Sequence, residues 1–99
     1  MKDLIYYNEL FLIYADLLTE NEINTFKDYY FEDLSLAEIA DNKNVSRAAV
    51  QKTLKNVLEK LSSYEKSLHI YLTKTKLKEA LEISNIEEVK KKIDEVIKL

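Results

Sequence analysis

Ninety-nine residues pass without a single glycine or proline, and no other feature constrains the fold as much. Glycine supplies positive φ at no steric cost, and proline interrupts helices. A chain lacking both must make its tight turns with Asn or Asp, and nothing breaks a helix from within. Hairpin-rich sandwiches and barrels need Asn-Gly or Gly-X turns, and phosphate loops need glycine at fixed spacing. Both are excluded, and the expected class is all-α.

The chain also lacks cysteine, which removes disulfides, thiolate metal sites and thiol nucleophiles. Hydrophobic residues at 46% and charged residues at 33% describe a globular chain, not a disordered one. Its length suits one domain over residues 1–99, too small to enclose a deep catalytic pocket easily. The longest apolar run, Leu10 to Tyr14, falls far short of the roughly 20 residues that cross a bilayer. Met1-Lys2-Asp3-Leu4 does not open a secretory signal. The expectation is a cytoplasmic protein with no membrane insertion.

Periodicity divides the chain into N-terminal helices over residues 1–34, a two-helix motif over 35–60 and a helical extension over 61–99. Leu4, Tyr7, Phe11, Tyr14 and Leu18 mark a first helix, widened by Leu10 and Leu17. Ile5, Tyr6, Leu12 and Ile13 make it apolar on other faces too. Thr19-Glu20-Asn21-Glu22 forms a capping box opening a second helix, with Ile23, Phe26 and Tyr30 inward. Ser35-Leu36-Ala37-Glu38 is another box, and its short helix should bury Leu36, Ile39 and Ala40. Asp41 to Asn44 reads as the turn, with Asn44 taking the left-handed conformation. Ser46 should cap a fourth helix that buries Val50, Leu54, Val57, Leu58 and Leu61. The stripe continues through Tyr64, Leu68 and Leu72, and a break is expected near Thr73–Thr75. Ser84-Asn85-Ile86-Glu87 is the last capping box, with Ile86, Val89, Ile93 and Val96 on one face of the final helix.

Residues 35–54 form a helix-turn-helix. Ala40 is small where the helices should cross, Val45 should plug the turn into the core, and Val50 and Leu54 should hold the second helix to the body. That arrangement leaves the start of the second helix free to enter a major groove. Its outward residues are Ser46, Arg47, Ala48, Gln51, Lys52 and Lys55. Arg and Gln can read base edges, and Lys can neutralise phosphates. Local charge agrees in part. Residues 46–66 carry five basic and two acidic residues, whereas residues 1–45 carry three and ten. DNA affinity should therefore be modest and salt-sensitive.

Leu34 to Ala40 followed by Val45 to Val50 resembles region 4 of bacterial sigma factors. The wider pattern is similar to the YlxM family of small proteins from low-GC Gram-positive bacteria and their wall-less relatives. It rests on Leu10 to Leu18, Leu18-Thr19-Glu20, Tyr29 to Leu36 and Tyr64-Glu65-Lys66, over about residues 4–72. The resemblance implies an all-α, sigma-region-4-like helix-turn-helix, of the winged-helix-like DNA-binding class without the wing and with extended C-terminal helices. It also implies dimerisation, a DNA-binding or regulatory role, no enzymatic activity, and a link through gene neighbourhood to the signal recognition particle pathway. Asn44 stands where many such motifs carry Gly or Asp, and the single Arg departs from strong nucleic-acid binders.

Other residues suggest less. Most of the ten aromatics sit at core spacing, while Tyr6, Tyr29 and Phe31 are left over for a homodimer interface. His69 is the only histidine and reads as structural, since neither a zinc site nor a nucleophile accompanies it. Lys90-Lys91-Lys92 reads as a solvated face. No catalytic residues, metal site or cofactor are indicated. The leading reading is a homodimeric DNA-binding regulator. The alternatives are a module that contacts the protein or RNA of the targeting particle, and a sigma-like decoy for polymerase or an anti-sigma partner.

Overall fold

A computed structural model describes residues 4–99, and among them there are six α-helices and no strand. In order these are α1 (Leu4–Tyr14), α2 (Glu20–Tyr30), α3 (Leu36–Lys43), α4 (Arg47–Leu68), α5 (Ile70–Leu81) and α6 (Ile86–Ile97), with a 3-10 turn at Ala15–Leu17. The chain forms two compact units, Met1–Ser63 and Tyr64–Leu99. The expected all-α class is borne out.

In the first unit the buried side chains come from every helix. Leu10, Phe11 and Tyr14 of α1, Phe26 of α2, and Val57 and Leu61 of α4 are almost fully withdrawn from water. Phe11 and Phe26 stack with ring centroids 4.2 Å apart and planes within 9°, and Tyr30 tilts against Phe26 at 4.6 Å. Such ring pairs contribute about 0.5–1.5 kcal/mol beyond area burial. The first helix is shorter than its apolar pattern suggests. The backbone tightens to 3-10 from Ala15, leaving Leu17 exposed while Leu18 turns in. Ile5 and Leu12 also stay exposed on α1.

Both N-terminal capping boxes form as expected. The Thr19 hydroxyl accepts from the Glu22 amide at 3.2 Å, and the Glu22 carboxylate accepts from the Thr19 amide at 2.9 Å. Ser35 and Glu38 repeat the exchange at 3.1 Å in both directions. The Glu22 carboxylate also accepts from the Lys60 ammonium of α4, at 2.8 and 2.9 Å. Burial pushes this carboxyl's pKa up. The Lys60 hydrogen bond and charge, with the Thr19 backbone and hydroxyl, outweigh that and hold it below its ordinary 4.5.

In the second unit α5 and α6 run antiparallel. Lys76 pairs with Glu95 at 3.2 Å and Lys92 with Glu79 at 3.1 Å, so the contact order on one helix reverses the other. The break before α5 falls at His69, not at Thr73–Thr75, which lie within that helix. The Glu65 carboxylate accepts from the amides of Tyr71 and Leu72 at 2.9 and 3.1 Å. It therefore caps α5, while His69 takes a left-handed φ of 56°. Leu68 is consequently exposed, not part of a continuing stripe. The last cap is also displaced by one residue. Asn85, not Ser84, accepts from the Glu87 and Glu88 amides at 2.9 and 3.3 Å, with no reciprocal carboxylate bond to complete a box.

The Glu22 arrangement predicts acid sensitivity of a definite sign. A carboxyl depressed in the folded state stabilises above its ordinary pKa, and that stabilisation is lost as pH falls through the lowered value. Glu22→Gln should cost about 1–2 kcal/mol at neutral pH, because it removes a charged acceptor from a buried cap while Lys60 keeps partial access to water. The difference from wild type should shrink on acidification. Urea unfolding followed by helical circular dichroism at several pH values measures both effects, and a cost that persists undiminished at low pH contradicts the assignment.

Candidate nucleic-acid interface

The geometry of the helix-turn-helix begins with Asn44. Its φ of 57° and ψ of 46° are left-handed, a conformation that costs most residues about 1–2 kcal/mol but suits a short polar side chain. The Val45 amide donates to the Ala40 carbonyl at 3.0 Å and the Asn44 amide to the Asp41 carbonyl at 3.2 Å. This pair of bonds is a Schellman termination, which satisfies the last carbonyls of α3 and turns the chain sharply. The structure thus corrects the extent of the turn. Asp41, Asn42 and Lys43 complete α3, and Asn44 alone carries the reversal. Asp33 plays the same conformational part after α2, with φ of 57°.

After Val45 and Ser46 the chain starts α4. The Ser46 hydroxyl accepts from the Ala49 amide at 3.0 Å, satisfying one of the orphan donors of the new helix. Ile39 and Ala40 of α3 pack with Val50 and Leu54 of α4 in one buried cluster, closed by the half-buried Tyr29, Tyr30, Leu34 and Leu36. Val45 does not plug the core but remains 47% exposed, because the α2 tyrosines and the leucines around α3 already seal it. Val45 instead lines a cleft of about 330 Å³ with Asn21, Lys43, Ala49 and Thr53.

Ser46, Arg47, Ala48, Gln51, Lys52 and Lys55 are all exposed. At 100° per residue the five helical members fall within one arc, to one side of the Val50–Leu54–Val57 stripe. The helix start is also electropositive by composition. The first turns of α2, α3 and α6 each contain acidic residues, whereas that of α4 contains none. The amides of Arg47 and Ala48 have no acceptor within the helix, and the dipole adds partial positive charge there.

Lys43 was not among the outward residues expected from sequence. Its ammonium donates to the Asn21 side-chain oxygen at 3.0 Å, placing a further cation on the cleft beside the turn. Its position in the last turn of a capped helix, one residue before Asn44, was a legible signal. Asn21 was not, because it belongs to α2 and reaches the motif only through the fold.

Tyr29 and Phe31, read as free aromatics, both make ring contacts. Tyr29 meets Tyr30 edge-on at 4.9 Å, and Phe31 meets Phe11 and Phe26 edge-on at 5.7 and 5.8 Å. Tyr6 stands edge-on to Tyr7 at 5.5 Å.

Known proteins share much of this sequence. A UPF0122 protein of Lactococcus lactis subsp. cremoris is 47% identical over 64 residues, 65% of this chain and 58% of that protein. The UPF0122 protein YofM of Lactococcus lactis subsp. lactis matches to the same extent. A UPF0122 protein of Streptococcus pyogenes serotype M5 is 48% identical over 64 residues, covering 57% of its length. The chain therefore matches somewhat over half the length of these relatives. A family model matches residues 1–99 in full. With its helices, caps and turn in that register, the chain belongs to the UPF0122 family, described as "Putative helix-turn-helix protein, YlxM / p13 like".

Proposed function

We propose that the protein is a non-enzymatic DNA-binding regulator, acting as a homodimer, that presents the start of α4 to the major groove. The observation that carries this reading is the exposure of Ser46, Arg47, Ala48, Gln51, Lys52 and Lys55 at a capped, acid-free helix start whose adjoining face is pinned by Val50 and Leu54. Arg47 and Gln51 read base edges in this account, and Lys52 and Lys55 meet phosphates. The Ser46 hydroxyl and the first amides of α4 flank a phosphate oxygen. Family likeness supports the helix-turn-helix class. The proposed cytoplasmic setting rests on the short apolar run and the N-terminal residues, and the tie to the signal recognition particle pathway rests on the sequence resemblance alone.

Charge limits the affinity. Three cations stand on the arc, in a chain whose net charge is −3. Binding by one copy should be weak, and two copies with matched half-site spacing strengthen it.

Arg47→Ala with Lys52→Ala should reduce DNA affinity by about 10-fold or more, given roughly 1–3 kcal/mol for a base-reading Arg. The helical circular dichroism should not change, because both side chains are exposed. Lys55→Ala should weaken binding to all sequences alike and lower the salt slope by about 1. Fluorescence anisotropy with labelled duplexes across a salt series reads both effects. Unchanged affinity in the double variant refutes the α4 surface. Salt-independent retention of targeting-particle components after nuclease treatment favours the protein-interaction module instead.

A further inference from the structure

The unit formed by residues 64–99 has an unfinished core. Among its hydrophobic side chains only Ala80 is buried, and helical units this small usually need a partner surface or a staple. Its apolar residues are present but unpaired. Leu81, Ile86 and Ile97 are 86%, 66% and 76% exposed, and Ile70, Leu77 and Ile93 are exposed to a lesser degree.

These six residues share one side of the hairpin. At 100° per residue Ile70, Leu77 and Leu81 lie within about 40° of each other on α5, as do Ile86, Ile93 and Ile97 on α6. On each helix the stripe stands about a quarter turn from the face that meets the other helix. On α5 that inner face includes Ala80 and Lys76, and on α6 Lys92 and Val96. Because the helices are antiparallel, the two quarter turns fall on the same side. The Lys76–Glu95 and Lys92–Glu79 pairs occupy the opposite side. One broad face is therefore ion-paired and the other is apolar.

We infer that this apolar face is the homodimer interface, with a second copy of the hairpin completing a four-helix bundle. Two observations favour a second copy as the occupant. The exposed apolar area of six such residues approaches what each partner buries in a standard interface, about 800 Å². Residues 67–99 carry seven basic and six acidic residues, a balance that suits a self-complementary surface better than an anionic membrane or nucleic acid. Paired helical hairpins with an apolar stripe on each helix form bundles of this kind.

This inference rests on the homodimer part of the proposed function and names its surface. Sedimentation equilibrium of the full chain without DNA tests it. The wild type should show twice the monomer mass of 11.7 kDa at micromolar concentration. Leu77→Lys with Ile93→Lys should weaken dimerisation by about 100-fold or more. Both residues are already exposed, so the helical circular dichroism should be kept. Tyr29→Ala serves as the control on the other unit and should leave the mass doubled. A monomeric wild type overturns both the homodimer and the interface. A dimer that survives the double lysine variant overturns the interface alone and leaves the homodimer standing.

Discussion

Where a helix of this chain reverses through a left-handed residue without glycine, that residue must tolerate positive φ, and among the described residues three do. Asp33, Asn44 and His69 hold φ of 57°, 57° and 56°. Each stands in a break between consecutive helices, after α2, α3 and α4. Asn, Asp and His are the residues most often found there when glycine is absent. Asn44 matters most for function. The direction in which α4 leaves α3 follows from its left-handed backbone and from the two Schellman bonds at Ala40 and Asp41. Were the turn looser, Val50 and Leu54 could still be buried, but the arc from Arg47 to Lys55 would lose its fixed bearing.

Carboxylates supply the second device. An acidic N-terminal half, with ten acidic residues against three lysines, is a poor neighbour for a phosphate backbone. Part of that charge is already committed to structure. Glu22 is held by the Thr19 cap and by Lys60, and the backbone and hydroxyl of Ser35 hold the Glu38 carboxyl below its ordinary pKa. Glu65 does the same kind of work for α5 from the end of the preceding helix. In each case the carboxylate lies at a helix N-terminus, where the partial positive charge of the amides favours it. The start of α4 is capped by the neutral Ser46 instead, and the contrast keeps its field unneutralised.

What could be read from sequence divides along the range of the interactions involved. The Thr19 and Ser35 boxes, the Ser46 cap and the left-handed Asn44 all came through, because each is closed by bonds spanning three to five residues. The errors share a cause as well. Val45 is apolar beside a turn, and only the packing of Tyr29, Tyr30, Leu34 and Leu36 shows that its place in the core is already filled. The change of phase in the apolar stripe points to a break near Thr73. It falls at His69 because Glu65 reaches forward to the Tyr71 and Leu72 amides, a cap with no fixed sequence signature. The shift from Ser84 to Asn85 shows that two adjacent capping residues compete, and that the one whose side chain reaches the second and third amides wins. The exposure of Arg47, Gln51, Lys52 and Lys55 follows from helical phase, once the buried stripe of α4 is known.

The two units also differ in how they use apolar side chains, and that contrast bears on assembly. Residues 1–63 convert apolar periodicity into burial, with Phe11, Phe26, Ile39, Val57 and Leu61 almost completely covered. In residues 64–99 the periodicity is at least as regular on α6, yet that helix has no buried residue. The difference lies in the number of layers. A two-helix hairpin has a single seam, and a seam can cover only a narrow strip of each helix, here Ala80 and its half-buried neighbours. The ion pairs bound one edge of that seam, which leaves the other edge as the only place where Leu77, Leu81, Ile86, Ile93 and Ile97 can gather. A stripe a quarter turn away from the seam on a 12-residue helix cannot be buried by that seam, and its burial needs a second layer of helices.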